Sequence, residues 1–195
     1  MERTRAALIA SARHVFATRG FEGASLDEIA DAAGYTRGAI YRHFANKEDL
    51  FFAVSDAVNT EVLDAFAEEL DLEAGANLDD NRLAAATWMK ALAGNKEIWA
   101  LNLEFSLYQY RNPGVQERTA DQRRQNRATV VSFMEHYWAE QGISSKVPVE
   151  TIAAILLNAS DGFVQAARVD VDAEDLFATF LDLFIPAVLE GTPDP

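Results

Sequence analysis

The sequence contains no cysteine. That excludes a disulfide framework, a thiolate metal site and a thiol redox centre, and it suits a reducing compartment. Long apolar runs are missing too. No stretch approaches the ~20 apolar residues that a bilayer span needs, and the opening MERTRAALIASARHVF mixes charges into its apolar positions rather than building a signal core. A cytoplasmic protein without membrane contact is the expectation. Low-complexity tracts, internal repeats and long linkers are absent as well. Enzyme signatures are scarce: His14, His43 and His136 stand far apart with no H-x-x-x-H pair, and there is no P-loop, G-x-G-x-x-G or G-x-S-x-G elbow. No metal or other cofactor is expected.

What is present is a soluble, globular composition, 49% hydrophobic and 25% charged over 195 residues, enough for one large core or two modest domains. Charge is unevenly spread. Residues 1–50 hold seven Lys/Arg and seven Asp/Glu, so the net charge of -14 belongs entirely to residues 51–195. Within the neutral part, GYTRGAIYRHFANKEDL gathers Arg37, Arg42, His43 and Lys47. A locally cationic face can bind phosphate even on an acidic protein.

Helical periodicity runs nearly throughout, and no window shows clear strand alternation, so the fold class is all-α. Leu8, Ala12, Val15 and Phe16 make one stripe on a first helix that Arg19-Gly20 ends, with Phe21 folding back onto it. Ser25-Leu26-Asp27-Glu28 is a capping box for a second helix, which Gly34 stops in a left-handed conformation. Thr36 can cap a third helix with Ile40 and Phe44 inward, and Asn46 a fourth, with Asp49 in its first turn. Two short helices joined by a tight glycine turn and resting on a longer one describe a helix-turn-helix. Its outward residues are Arg37, Gly38, Tyr41, Arg42 and His43, with Lys47 opening the fourth helix. Longer helices follow over roughly 47–73, 79–93, 96–110, the stretch to 141–142, 149–168 and 172–190, with breaks at 73–77 and at Asn112-Pro113-Gly114.

The capping box, the glycine turn, TRGAIYRHF and NKEDLF together resemble the DNA-binding domain of the tetracycline-repressor (TetR) family. The match lies in the first ~52 residues; beyond them the likeness is one of length and helical layout. The resemblance implies a DNA-binding domain over 1–47, a ligand-binding and dimerisation domain over 48–195, and a homodimeric regulator, usually a repressor, released from a palindromic operator by a small molecule. It implies that the third helix enters the major groove. Arg37 is then the base reader, its fork matching guanine O6 and N7. Gly38 and Ala39 act by smallness, and Tyr41, His43 and Lys47 hold phosphates. Ser25 and Thr36 donate to phosphate as well as cap, Arg42 reads a base or a phosphate, and Tyr35 contacts bases or shields the hinge. Tyr41 has a second reading as half-buried packing.

The remainder is less specific. In the last two helices Ile152, Ile155, Leu156, Ala159 and Phe163, then Leu176, Phe177, Phe180, Leu181, Leu183, Phe184, Ile185, Val188 and Leu189, form a set too wide for one core contact. One side faces the domain's own core and the other a partner subunit, while Asp172, Glu174 and Asp175 suit the start of the last helix. Trp88, Met89, Trp99, Phe105, Tyr108, Phe133 and Tyr137 are candidates to line an effector pocket, although aromatic stripes are more often core. Glu104 and Asp161 sit in apolar stretches and need a partner: a cationic ligand, Tyr108, Asn158 or water. Arg118, Arg123, Arg124 and Arg127 read as a solvated face paired with Glu117 and Asp121, or as a site for an anionic head group. Two further classes stay open: a ligand-binding protein whose DNA module is vestigial, and an all-helical enzyme using Glu104 or Asp161.

Overall fold

In the computed structural model, residues 2–69, 78–167 and 173–190 are described. They form helices α1 (Glu2–Gly23), α2 (Leu26–Ala33), α3 (Arg37–Tyr41), α4 (Lys47–Glu69), α5 (Leu78–Gly94), α6 (Lys96–Arg111), α7 (Gln116–Gln141), α8 (Val149–Ala166) and α9 (Ala173–Val188). A 3-10 turn, Pro113–Val115, stands where Asn112-Pro113-Gly114 marks a break. The only β contact among the described residues is an isolated bridge between Ser145 and Leu189. The fold is all-α. Leu70, the break at 73–77, Asp172 and the side chains of Glu174 and Asp175 lie outside the described residues.

Packing groups these helices into two compact units that are not consecutive in the chain. One comprises Met1–Val62 and Asn95–Glu117, the other Leu63–Gly94 and Arg118–Pro195. The first unit is built on the predicted stripe: Leu8, Ala12, Val15 and Phe16 are buried along α1. At Gly20 the chain turns with φ 71 and ψ 169, a conformation that glycine reaches without a Cβ penalty. That turn brings Phe21 back so that its ring lies 6.0 Å from Phe16, 4.8 Å from Phe51 and 4.4 Å from Tyr108. Rings at these separations add to area burial. Helix α6 is thus part of this core, with Ile98, Leu101 and Tyr108 buried.

The second unit has its own core around Met134, Ile152, Ala153, Val188 and Leu189. Gly142, at φ 65, ends α7, and the Ile143 N–H reaches the Trp138 carbonyl. Phe163 on α8 meets Phe177 edge-on and Phe180 at a tilt on α9, where Phe180 stacks on Phe184. Ile155, Leu176 and Leu183 remain exposed, Leu183 by 71%. Among the described residues no helix is long and apolar enough to cross a membrane.

Candidate nucleic-acid interface

Local sequence sets the short helices that carry the outward residues. Ser25 takes an extended backbone, and its Oγ accepts from the Glu28 N–H at 3.1 Å. The return half of the expected capping box is not made. The Glu28 carboxylate faces Arg19 instead, 3.4 Å from its Nε, because α1 ends beside it. Ser25→Ala should therefore cost about 1 kcal/mol, a fall of roughly 2–4 °C in Tm, through the one cap bond it loses. Thermal denaturation measures this, and an unchanged midpoint would count against the cap. At the other end, Gly34 is left-handed at φ 73, and Tyr35 N–H reaches the Ala30 carbonyl while Gly34 N–H reaches that of Asp31. This paired closure stops α2 three residues short of α3.

Thr36 stands at the N-cap of α3 in extended conformation, yet its hydroxyl makes no cap bond. The hydroxyl faces solvent and is free to meet another acceptor or donor. Ile40 is fully buried and Phe44 nearly so, which fixes the rotation of α3. Arg37, Gly38, Tyr41 and Arg42 are consequently exposed, with Ala39 and His43 partly covered. Tyr41 is 50% exposed and lies on the open face, not in the packing. Tyr35 is exposed at the hinge.

Arg37 is held ready rather than loose. Its Nη1 donates to Asp27 Oδ2 at 2.9 Å and its Nη2 to Tyr41 Oη at 3.1 Å, with the guanidinium 5.7 Å from the centre of the Tyr41 ring. The Tyr41 hydrogen bond first, and the Asp27 charge second, raise its pKa above an already high ordinary value. Both contacts are on the surface and can be exchanged for a partner with stronger acceptors.

Lys47, which the resemblance gives as a phosphate contact, has partners within the protein. Its Nζ donates to the carbonyls of Phe21 at 2.8 Å and Ala24 at 3.1 Å, and lies 4.5 Å from the centre of the Phe21 ring. The ammonium closes the carbonyls left unpaired where α1 turns into α2. Lys47 is thereby a joint between α4 and the α1–α2 turn. Asn46 beside it caps α4, accepting from the Asp49 N–H at 2.8 Å, and Asp49 accepts from the Ala45 N–H at 3.2 Å.

The candidate effector residues fall in both units. Trp99, Glu104, Phe105 and Tyr108 belong to the first. There Glu104 accepts from the Phe21 N–H at 3.0 Å, a partner that sequence patterns do not suggest. Tyr108 donates to the Glu48 carboxylate, and burial first, then that bond, pushes its pKa up to about 12. Its hydroxyl is therefore a fixed donor. Trp88, Met89, Phe133, Tyr137 and Asp161 belong to the second unit. Phe66 joins two of them, its ring 4.8 Å from Trp88 and 6.1 Å from Phe133. Met89 and Tyr137 are buried. Asp161 is open on one side, yet neighbouring helices remove enough water to raise its carboxyl above the ordinary range, against the pull of Arg123. Asn158 donates to the Ala154 carbonyl rather than to Asp161. Arg124 pairs with Asp121 on its own helix. No group of three or more acids or histidines is gathered as a metal site among the described residues.

The family profile for bacterial regulatory proteins of the tetR family matches residues 8–54, which span α1 to the first turns of α4. The HTH-type transcriptional repressor AcnR of Corynebacterium glutamicum is 26% identical over 191 residues, covering 97% of this chain and 92% of that one. Residues 8–54 carry the DNA-binding domain of the TetR family. The HTH-type transcriptional regulator TtgR of Pseudomonas putida is 45% identical over 58 residues, 30% of this chain and 28% of its own. The fold is shared with a protein from Mesorhizobium loti described as a TetR-family transcriptional regulator, at 20% identity and a TM-score of 0.77, over 96% of this chain and 97% of that one. The matched residues are those of a helix-turn-helix domain of bacterial transcriptional regulators, and these comparisons point to regulation of transcription.

Proposed function

We propose that this chain is a cytoplasmic repressor of the TetR family that binds a roughly palindromic operator as a homodimer and leaves it when a small lipophilic or aromatic molecule binds. The observation that carries the reading is the open face of α3. Burial of Ile40 and Phe44 turns Arg37, Tyr41 and Arg42 outward together, beside an unbonded Thr36 hydroxyl. Arg37 reads a guanine edge, Gly38 and Ala39 let the backbone approach, and Thr36, Tyr35, Tyr41, Arg42 and His43 meet phosphates or neighbouring bases. Ser25 adds a phosphate contact to its cap. Lys47 acts mainly by holding the turn that presents these groups.

Residues 1–47 then carry DNA reading, and 48–195 effector binding and dimerisation. The exposed Ile155, Leu176 and Leu183 on α8 and α9 support a second copy packing there, since monomeric surfaces seldom gather large apolar side chains on two adjoining helices. The Phe66, Trp88 and Phe133 grouping, with Met89 and Tyr137 buried nearby in sequence, supports an aromatic-lined effector site. Repression is favoured by the AcnR relatives, which are named repressors.

Selection of duplexes from a random library, with the mass of the complex recorded alongside, tests this. A palindrome with half-sites one helical turn apart, bound by two protomers, is the expected result. Enrichment of a single half-site by one protomer would sink the dimeric reading, and no enrichment at low salt would sink the whole proposal.

A further inference from the structure

Four arginines precede α2, and they are not equivalent. Arg13 is gripped by Glu61 and Glu97, and Arg19 faces Glu28. Arg5 is exposed, and among the described residues no carboxylate pairs with it. Its guanidinium lies instead on the ring of Phe44, 5.3 Å from the centre. Phe44 follows Arg42 and His43 directly, and its ring is 6.3 Å from that of His43. The contact therefore fixes an unneutralised cation at the end of α3, on the side where the helix runs into the α4 cap. Glu2, one turn earlier, lines the same groove along α1 without pairing to Arg5. An arginine stacked on an aromatic face keeps its donors free around the ring edge while losing much of its rotamer freedom.

From this we infer that Arg5 is a DNA-phosphate contact, extending the operator face beyond α3 onto the first turns of α1. The position lies ahead of residue 8, where the family profile begins, so the profile does not assign it. The inference rests on the operator-binding reading and adds a residue to it. Arg5 carries no base information: it positions the protein on the backbone, and the Phe44 ring sets where the charge stands.

The test compares Arg5→Met, which keeps a flexible side chain on the Phe44 ring without the charge, with Arg5→Lys, which keeps the charge. Affinity for the enriched duplex is measured over a range of salt concentrations. Wild type should show a steep loss of affinity with salt. Arg5→Met should flatten the log–log slope by about one unit and bind several-fold more weakly near physiological salt, with the preferred sequence unchanged. Arg5→Lys should keep the wild-type slope. If wild type binds with a steep slope and Arg5→Met matches it, Arg5 is not a phosphate contact. A changed sequence preference at an unchanged slope would overturn the assignment equally. Absence of salt-sensitive binding by wild type would instead strike the operator-binding reading itself.

Discussion

Arg37→Ala should bind the selected operator about 10- to 100-fold more weakly than wild type and lose its preference at one position in each half-site. The size of the effect follows from geometry. Asp27 and Tyr41 hold the guanidinium along α3 with its fork intact, so little ordering remains to be supplied when a base edge replaces them. Asp27 competes for the same Nη1 that a guanine would take, and releasing it exchanges one charged acceptor for a pair of base acceptors. Arg37→Lys separates charge from shape: it should keep salt-dependent binding but lose the bidentate discrimination. Affinities for single-position variants of the operator, measured at one salt concentration, read out both effects. Equal discrimination by wild type and Arg37→Ala would show that the base reader lies elsewhere on the face.

The second large effect is expected where the chain turns between α1 and α2. Gly20 holds φ at +71, and a Cβ built there would stand 3.0 Å from both carboxylate oxygens of Glu104. Gly20→Ala thus combines left-handed strain of about 1–2 kcal/mol with displacement of the carboxylate that caps the Phe21 N–H. Together these should cost roughly 2–4 kcal/mol, which lowers Tm by about 4–16 °C for a chain of this size. Operator affinity should fall in parallel, because the same turn carries the carbonyls that anchor Lys47 and sets the start of α2. Glu104→Gln keeps an amide oxygen to accept from Phe21 and should cost much less than Glu104→Ala. If Gly20→Ala melted like wild type, neither the backbone strain nor the close approach of Glu104 would be real constraints.

These two sites differ in how far they can be read from the chain. The α3 face follows from local spacing. Ile40 and Phe44 form an i, i+4 pair, Gly34 ends α2, and Asn46 opens α4, so the rotation of the helix and its outward residues need nothing distant. The Gly20 joint is a product of tertiary packing. Glu104 meets Phe21 across 83 residues and Lys47 reaches the same turn across 23 to 26, and no periodicity encodes such pairs. What the sequence did offer was a carboxylate set among apolar neighbours, a sign that Glu104 needs a partner without saying which. The cap residues show the same limit at short range. Ser25 and Thr36 both occupy N-cap positions, but only Ser25 makes the bond, and Glu28 turns to Arg19 because α1 happens to end there. Tyr108 reads as a pocket aromatic, and nothing local shows that Glu48, from the first turn of α4, accepts from its hydroxyl. On α8 and α9 the width of the apolar set was legible, whereas which members stay uncovered in a single chain required the packed helices.

Whether the α3 face reads sequence is measured most directly by comparing wild-type affinity for the enriched duplex with that for a scrambled duplex of equal length and composition, over a range of salt. A ratio of about 10³ or more at physiological salt, with affinity for both duplexes falling steeply as salt rises, is the expected result. Equal affinity for the two duplexes, or binding indifferent to salt, would contradict a DNA-reading role for Arg37 and its neighbours.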